Sequence, residues 1–202
     1  MRKVIALATP FALALLLSGC GPKASETADA AGNSAGNAMS DTGAAISNAA
    51  DDVKEALTPT PTGQEFIDKA AKSDAFEIAS AKLATKQATS ADLKSFAAMM
   101  IEDHTGSSAK VKAAAATAGL KPDPTLTDDQ NGKLADLGKL TGADFDKEYA
   151  SQQVDAHQSA LSLMSVYADK GDVASLKTVA GEIRPKVEMH LTKIKAIKDG
   201  LS

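Results

Sequence analysis

The side chains best suited to chemistry are three histidines and one glutamate, each set into an otherwise apolar helical stripe. His104 stands at i, i+3/i+4, i+7 spacing from Leu93, Phe96, Ala97 and Met100 on one side and from Val111 and Ala115 on the other. His157 falls among Ala150, Val154, Ala160, Leu161 and Met164, and His190 among Leu176, Val179, Ile183, Val187, Ile194 and Ile197. On an earlier stripe Glu77 keeps company with Phe66, Ala70, Ala81 and Ala84. An aliphatic residue would be cheaper at each position. A buried carboxylate is costly unless paired, and imidazoles facing it could pair with it as hydrogen-bonded cations. Three neutral imidazoles and one carboxylate are equally a ligand set for one divalent transition metal. Met100 or Met164 could add a soft donor suited to copper. At this point Glu77, His104, His157 and His190 are either a metal site or a metal-free polar network, and both readings stand.

The elements that must carry these residues are helices. Only 3% of the 202 residues are aromatic, there is no Trp, and alanine abounds; small aliphatic side chains suit close helix packing and serve a sheet poorly. Thr62-Gly63-Gln64-Glu65 is a capping box that opens a first helix running to about Lys86. Thr89 or Ser90 caps a second, which ends at Gly119. After the breaker Lys121-Pro122-Asp123-Pro124, Thr127-Asp128-Asp129-Gln130 opens a short helix to about Lys139. A third long helix spans Thr141 to Lys170; Gly171-Asp172 serves as stop and new N-cap for a fourth, which ends near Gly200. Pro185 lies inside that fourth helix, with Gly181 four residues back, and predicts a bend there. No strand pattern is present.

Very short turns join the first two helices and the last two, so each pair is an antiparallel hairpin. The connection between the hairpins is long enough to run the length of a bundle of roughly 40 Å. The expected fold is therefore all-α: a ferritin-like four-helix bundle of two antiparallel hairpins with a long crossover holding a short helix. With that crossover, Glu77, His104, His157 and His190 come within roughly 7 Å of one another along the bundle axis.

The first twenty residues speak to compartment. Arg2 and Lys3 precede an apolar run from Val4 to Leu17, too short for a comfortable transmembrane span and flanked like a secretory signal. Its end, Leu17-Ser18-Gly19-Cys20, resembles a bacterial lipobox, which implies cleavage before Cys20 and lipidation of that residue. Several acyl chains would hold the protein on a bilayer nearly permanently. Gly21, rather than Asp, after the cysteine implies an outer-membrane lipoprotein facing the periplasm. Residues 1–19 are then the signal peptide, 20–62 an acylated, Ala/Ser/Gly/Asn-rich tether with a root-mean-square reach of roughly 35 Å, and 63–202 the bundle. Within the tether Ala44 to Leu57 is weakly amphipathic.

Other chemistry is not signalled. Once the only cysteine is lipidated, thiol nucleophiles and zinc–thiolate sites are excluded. A formal charge of -4 with no concentrated basic face argues against nucleic acid as partner. No Gly-rich phosphate loop is present, and Ser107 and Ser108 read as small packing residues. No catalytic residues are assigned, and the sequence points to a binding or structural protein rather than an enzyme.

Glu77-Ile78, Met100-Ile101-Glu102-Asp103-His104, Asp155-Ala156-His157 and His190-Leu191, in that order and spacing, resemble the bacterial domain of unknown function 4142 family (DUF4142). The resemblance covers Gly63 to Leu201. It implies a ferritin-like helical bundle in the periplasm or at the outer membrane, and brings no established activity. The chain departs from di-iron ferritin-like proteins, which place Glu three residues before His. Here Ile101 and Val187 hold those positions, and too few inward carboxylates are evident for two oxygen-activating irons. Two functions follow as expectations: an envelope lipoprotein whose bundle binds one divalent metal, or a metal-free structural or interaction module of the envelope.

Overall fold

The computed structural model describes residues 59–201. The expected signal peptide, Cys20, nearly all of the tether and the amphipathic stretch Ala44 to Leu57 lie outside those residues. Among the described residues five helices follow in order: α1 Gly63–Gln87, α2 Ala91–Thr117, α3 Asp128–Leu137, α4 Gly142–Lys170 and α5 Ala174–Asp199. Among the described residues there is no strand, and no helix is long and apolar enough to cross a membrane.

Local sequence sets most helix ends. Thr62 and Glu65 close a reciprocal capping box at α1, and Thr127 and Gln130 another at α3. Ser90 caps α2 by accepting from the Leu93 N–H. That end is tied down further by Asp146 of α4, a buried carboxylate that accepts from the backbone N–H groups of both Thr89 and Ser90, each at 2.9 Å. Gly119 ends α2 at φ 71°, and the Leu120 N–H reaches back to the Ala115 carbonyl at 2.9 Å, which only a left-handed residue between them permits.

At the α4–α5 turn the expected cap is corrected. Asp172 does not cap α5; its carboxylate instead accepts from the Tyr167 hydroxyl at 2.7 Å. The helix starts two residues later, after Val173, with no side-chain cap. Gly171 is required there because a Cβ would stand 2.6 Å from the Tyr167 ring. Beyond the turn, α5 runs unbroken through Pro185. At Gly181 a Cβ would meet only Ala168, at 4.0 Å.

Cross-helix pairs give the direction of every neighbour. Phe66 stacks on Tyr167, Gln153 donates to Ser80, and Thr89 bonds Asp146, so α4 runs antiparallel to α1. Ser175 donates to the Ala114 carbonyl, Lys110 pairs with Glu182, and Asp103 pairs with Lys186, so α5 runs antiparallel to α2. With α2 and α4 both opposed to α1, the chain between them must travel the full length of the bundle. It does so along α1: Gln64 donates to the Lys121 carbonyl, Lys72 pairs with Asp123, Gln130 donates to the Lys72 carbonyl, and Gln87 donates to the Gly138 carbonyl. The long crossover with its short helix is thus present.

Two apolar clusters fill the interior. One gathers Phe66, Ile67, Val111, Met164, Tyr167 and Leu176, and the other Leu93, Phe96, Met100, Phe145, Tyr149 and Ile194. Between the two fall ionisable residues from every long helix: Asp74 and Glu77 on α1, His104 on α2, His157 on α4 and His190 on α5. The core is therefore two dry layers separated by a polar one.

Candidate metal centre

All four residues singled out from sequence meet in that polar layer. Glu77 and His157 are fully buried, His190 is 1% exposed and His104 6%. Ring centroids lie 5.8 Å apart for His104–His157, 5.6 Å for His104–His190 and 5.4 Å for His157–His190. Each imidazole offers one nitrogen such that the three lie within 4.8 Å of one another. The stripes place them there because α1 to α5 bury their apolar faces inward, and the crossover sets all four at one level.

Each ring is held from one side only. His104 Nδ1 donates to Asp74 Oδ1 at 2.7 Å, His157 Nδ1 to the Gln153 carbonyl at 2.8 Å, and His190 Nε2 to Asp103 Oδ2 at 2.9 Å. The opposite nitrogens, His104 Nε2, His157 Nε2 and His190 Nδ1, are buried without a hydrogen-bond partner. Glu77 is the counter-charge. Its Oε2 lies 2.9 Å from His104 Nδ1 and its Oε1 3.5 Å from His157 Nδ1. Because the His104 N–H is aimed at Asp74, these contacts are electrostatic, and both Glu77 oxygens are left without a hydrogen bond.

The electrostatics follow from these partners. Burial disfavours the His104 cation, but Glu77 and Asp74 more than reverse that and push its pKa up to about 10. For His190 burial wins, since Asp103 is opposed by the neighbouring imidazoles, and its pKa falls to about 4. His157 is lowered by burial as well, with Glu77 offsetting part of the effect. Burial alone would raise Glu77, and the three imidazoles around it bring it below the usual carboxylate range. Asp74, less richly surrounded, stays raised by burial despite its bond from His104.

Sequence reading missed three contributors. Asp74 is 5% exposed and precedes Glu77 by three residues, so the i, i+3 spacing on one α1 face was the available signal. The inward face therefore carries two carboxylates rather than one. Ser108 is not mere packing: it donates to Asp74 Oδ2 at 2.9 Å and steadies that carboxylate. Asp103 directly precedes His104, turned toward α5, and bridges His190 to Lys186; only the crossover geometry reveals that role. The two methionines also part company. Met164 lines a cavity beside Asp74, Glu77, His104 and His190, whereas Met100 is packed in the apolar cluster around Phe96.

The family model of a domain of unknown function, DUF4142, matches residues 48–197. The chain belongs to the DUF4142 family. Solved structures share the fold of this DUF4142 protein. A DUF305 fragment from Deinococcus radiodurans is 13% identical with a TM-score of 0.61, over 69% of this chain and 97% of that one. CopM in its Cu(II)-bound form is 19% identical with a TM-score of 0.62, over 71% of this chain and 100% of that one. CopM in its Cu(I)-bound form is 19% identical with a TM-score of 0.58, over 69% and 97%. No curated protein matches the chain.

Proposed function

We propose that this DUF4142 protein binds one divalent transition metal through His104, His157 and His190, with Glu77 beside them as the counter-charge. The observation that carries the reading is three buried imidazoles that each offer a nitrogen within 4.8 Å of the other two, each ring also having one buried nitrogen without a hydrogen-bond partner. Buried polar atoms are rarely left unsatisfied, and here three lie in one layer of the core. The bond on the far side of each ring also supports it. For His157 and His190 an N–H held by a carbonyl or carboxylate fixes the tautomer so that the free nitrogen presents its lone pair, the usual outer-shell arrangement around metal-bound histidine. His104, a cation between Asp74 and Glu77, would release its Nε2 proton as the ion binds. Imidazole and carboxylate together suit zinc, copper, nickel or iron. CopM, similar in fold, is described in Cu(I)-bound and Cu(II)-bound forms, which makes copper the first ion to try.

The test is metal analysis of protein purified without a histidine tag, with thermal melts in zinc, copper, manganese and iron. The reading expects about one ion per chain and a rise in Tm that His190→Leu abolishes; ligand at a hundred times Kd contributes about 2.7 kcal/mol. No bound metal and no shift with any ion would overturn it. Asp103→Asn should weaken binding roughly ten- to a hundred-fold by loosening His190.

One observation favours the alternative of a metal-free network: His104 is already paired, sitting between Asp74 and Glu77 with a pKa near 10. A bundle held by that ion pair alone would be a structural or interaction module. In either case we infer a bacterial envelope lipoprotein, anchored through Cys20 on the outer membrane and facing the periplasm. That placement rests on Leu17-Ser18-Gly19-Cys20. Labelling with a fatty-acid probe that persists in Cys20→Ser would overturn it.

A further inference from the structure

Glu77 and His157 have no exposure at all, and the two apolar clusters close the polar layer off along the bundle axis. A cation bound there must enter from the side. One cavity, of about 340 Å³, reaches the layer: its inner wall includes Asp74, Glu77, His104 and His190. Its outer wall is made by exposed residues of α2 and α5, among them Glu102, Gly106, Lys110, Glu182 and Lys186. Two ion pairs cross between those helices at the outer wall, Lys186 to Asp103 at 2.7 Å and Lys110 to Glu182 at 3.5 Å. The lining carries five carboxylates (Asp74, Glu77, Glu102, Asp103 and Glu182) against two lysines and the His104 cation. A concave surface with that imbalance concentrates cations and speeds their arrival.

We propose that this vestibule is the route by which a cation reaches the polar layer, with the Lys186–Asp103 pair as its latch. The proposal rests on the metal reading of the cluster. Asp103 occupies the junction: Oδ1 holds the Lys186 ammonium while Oδ2 accepts from His190 Nε2–H. An incoming cation competes with Lys186 for Oδ1, the carboxylate oxygen between the mouth and the histidines. Displacement of the ammonium into solvent costs little, because Lys186 is half exposed and surface pairs of this kind are weak. The rest of the carboxylate stays on His190, so entry does not disturb the ring that must receive the ion. Glu102 and Glu182 flank the opening and set its attraction for positive charge. Met164, on the inner wall, gives a soft ion a thioether to pass.

Stopped-flow loading of metal-free full-length protein with Cu(II) or Zn(II), together with release to a chelator, tests the route. Gly106→Trp plugs the mouth; a Cβ at Gly106 meets nothing within 4 Å, so the side chain is accommodated on the helix surface. It should slow loading and release alike, several-fold, with Kd unchanged, because an obstruction alters rates and leaves the end states alone. Lys186→Met should speed loading. Glu102→Gln combined with Glu182→Gln should slow it and flatten its dependence on ionic strength. Gly132→Trp on α3, where a Cβ also meets nothing, is the control and should match the native chain. If the native protein takes up no ion, the metal reading itself falls, and the route with it. If ion binds normally but both the plug and the latch variants load and release at native rates, the route alone is overturned.

Discussion

In the α1–α2 hairpin His104 stands between Asp74 and Glu77 and keeps its charge up to about pH 10. In the α4–α5 hairpin His157 and His190 occupy the same level of the same bundle and are driven neutral by burial. The side chain is the same and the burial similar, so the partners decide. His104 faces two carboxylates on the neighbouring helix. His157 has a backbone carbonyl on the same nitrogen and only a distant Glu77 oxygen, and His190 shares its carboxylate with Lys186. One hairpin thus supplies charge and counter-charge, the other two uncharged donors. Burial in a bundle does not by itself dictate what an imidazole does; the element that faces it does.

The largest way to break this contrast is Glu77→Leu. It leaves the buried His104 cation with Asp74 alone, and breaking a buried pair by removing one partner costs about 3–5 kcal/mol. Urea unfolding of metal-free protein should show that loss. The double variant Glu77→Leu with His104→Leu should recover only part of it, because Asp74 then loses the His104 bond and keeps Ser108 alone; adding Asp74→Leu should recover much of the rest. A single variant as stable as the native chain would mean that His104 is uncharged. Asp74→Asn should follow at about 1.5–3 kcal/mol, the range for a hydrogen bond to a charged group, because Glu77 still faces the cation.

How much of this was legible beforehand divides along the same line. The stripes of Leu93, Phe96 and Met100 or of Leu176, Val179 and Ile183 announce buried helix faces. A polar residue interrupting such a stripe is visible without coordinates, so Glu77, His104, His157 and His190 could be named. Loop lengths gave the crossover, and the crossover gave the common level. What stayed hidden was sidedness. Asp103 lies off the centre of its stripe, where a carboxylate ordinarily meets water, and only the approach of α5 supplies His190 and Lys186 as its partners. Asp74, by contrast, stands on the Phe66, Ala70, Glu77, Ala81 stripe and was legible. The α5 cap failed for a related reason: Asp172 was drawn to the Tyr167 hydroxyl, a partner five residues back that capping rules do not weigh. Local pattern reports which face points inward, and it says little of what the facing helix offers in return.

Acid and alkali should separate the hairpins. The His190 pKa is depressed from 6.5 to about 4 in the folded state, so between those values the unfolded chain binds more protons. Stability therefore falls as pH drops from 6.5 toward 4, with His157 acting in the same sense. The His104 pKa is raised from 6.5 to about 10, so its contribution is complete below 6.5 and is lost as pH climbs through 10. Metal-free protein should thus be most stable near pH 6.5 and weaken on both sides. His190→Leu should flatten the acid limb alone, and Glu77→Leu the alkaline limb. Urea midpoints across pH 4–10 check both, and an acid limb unchanged in His190→Leu would assign the titration elsewhere.

The smallest expected effect is the most diagnostic, because its sign opposes the first. His157→Leu removes an imidazole whose Nε2 finds no partner and whose Nδ1–H goes to the Gln153 carbonyl. In an α-helix that carbonyl, four residues back, already accepts the residue-157 N–H, so losing the side-chain donor orphans nothing. Leucine is close in volume, and Phe96, with its ring 6.3 Å from the imidazole, can pack against it. Relieving a buried unsatisfied acceptor should leave metal-free protein as stable as the native chain or more so, by up to about 1 kcal/mol. Metal uptake should be lost. Calorimetric melts with and without the ion read both quantities from one sample. A variant that gains stability and loses the ion would mark His157 as kept for a ligand, at a standing cost to the fold. One that loses stability without metal would instead make His157 part of the network that holds the bundle together.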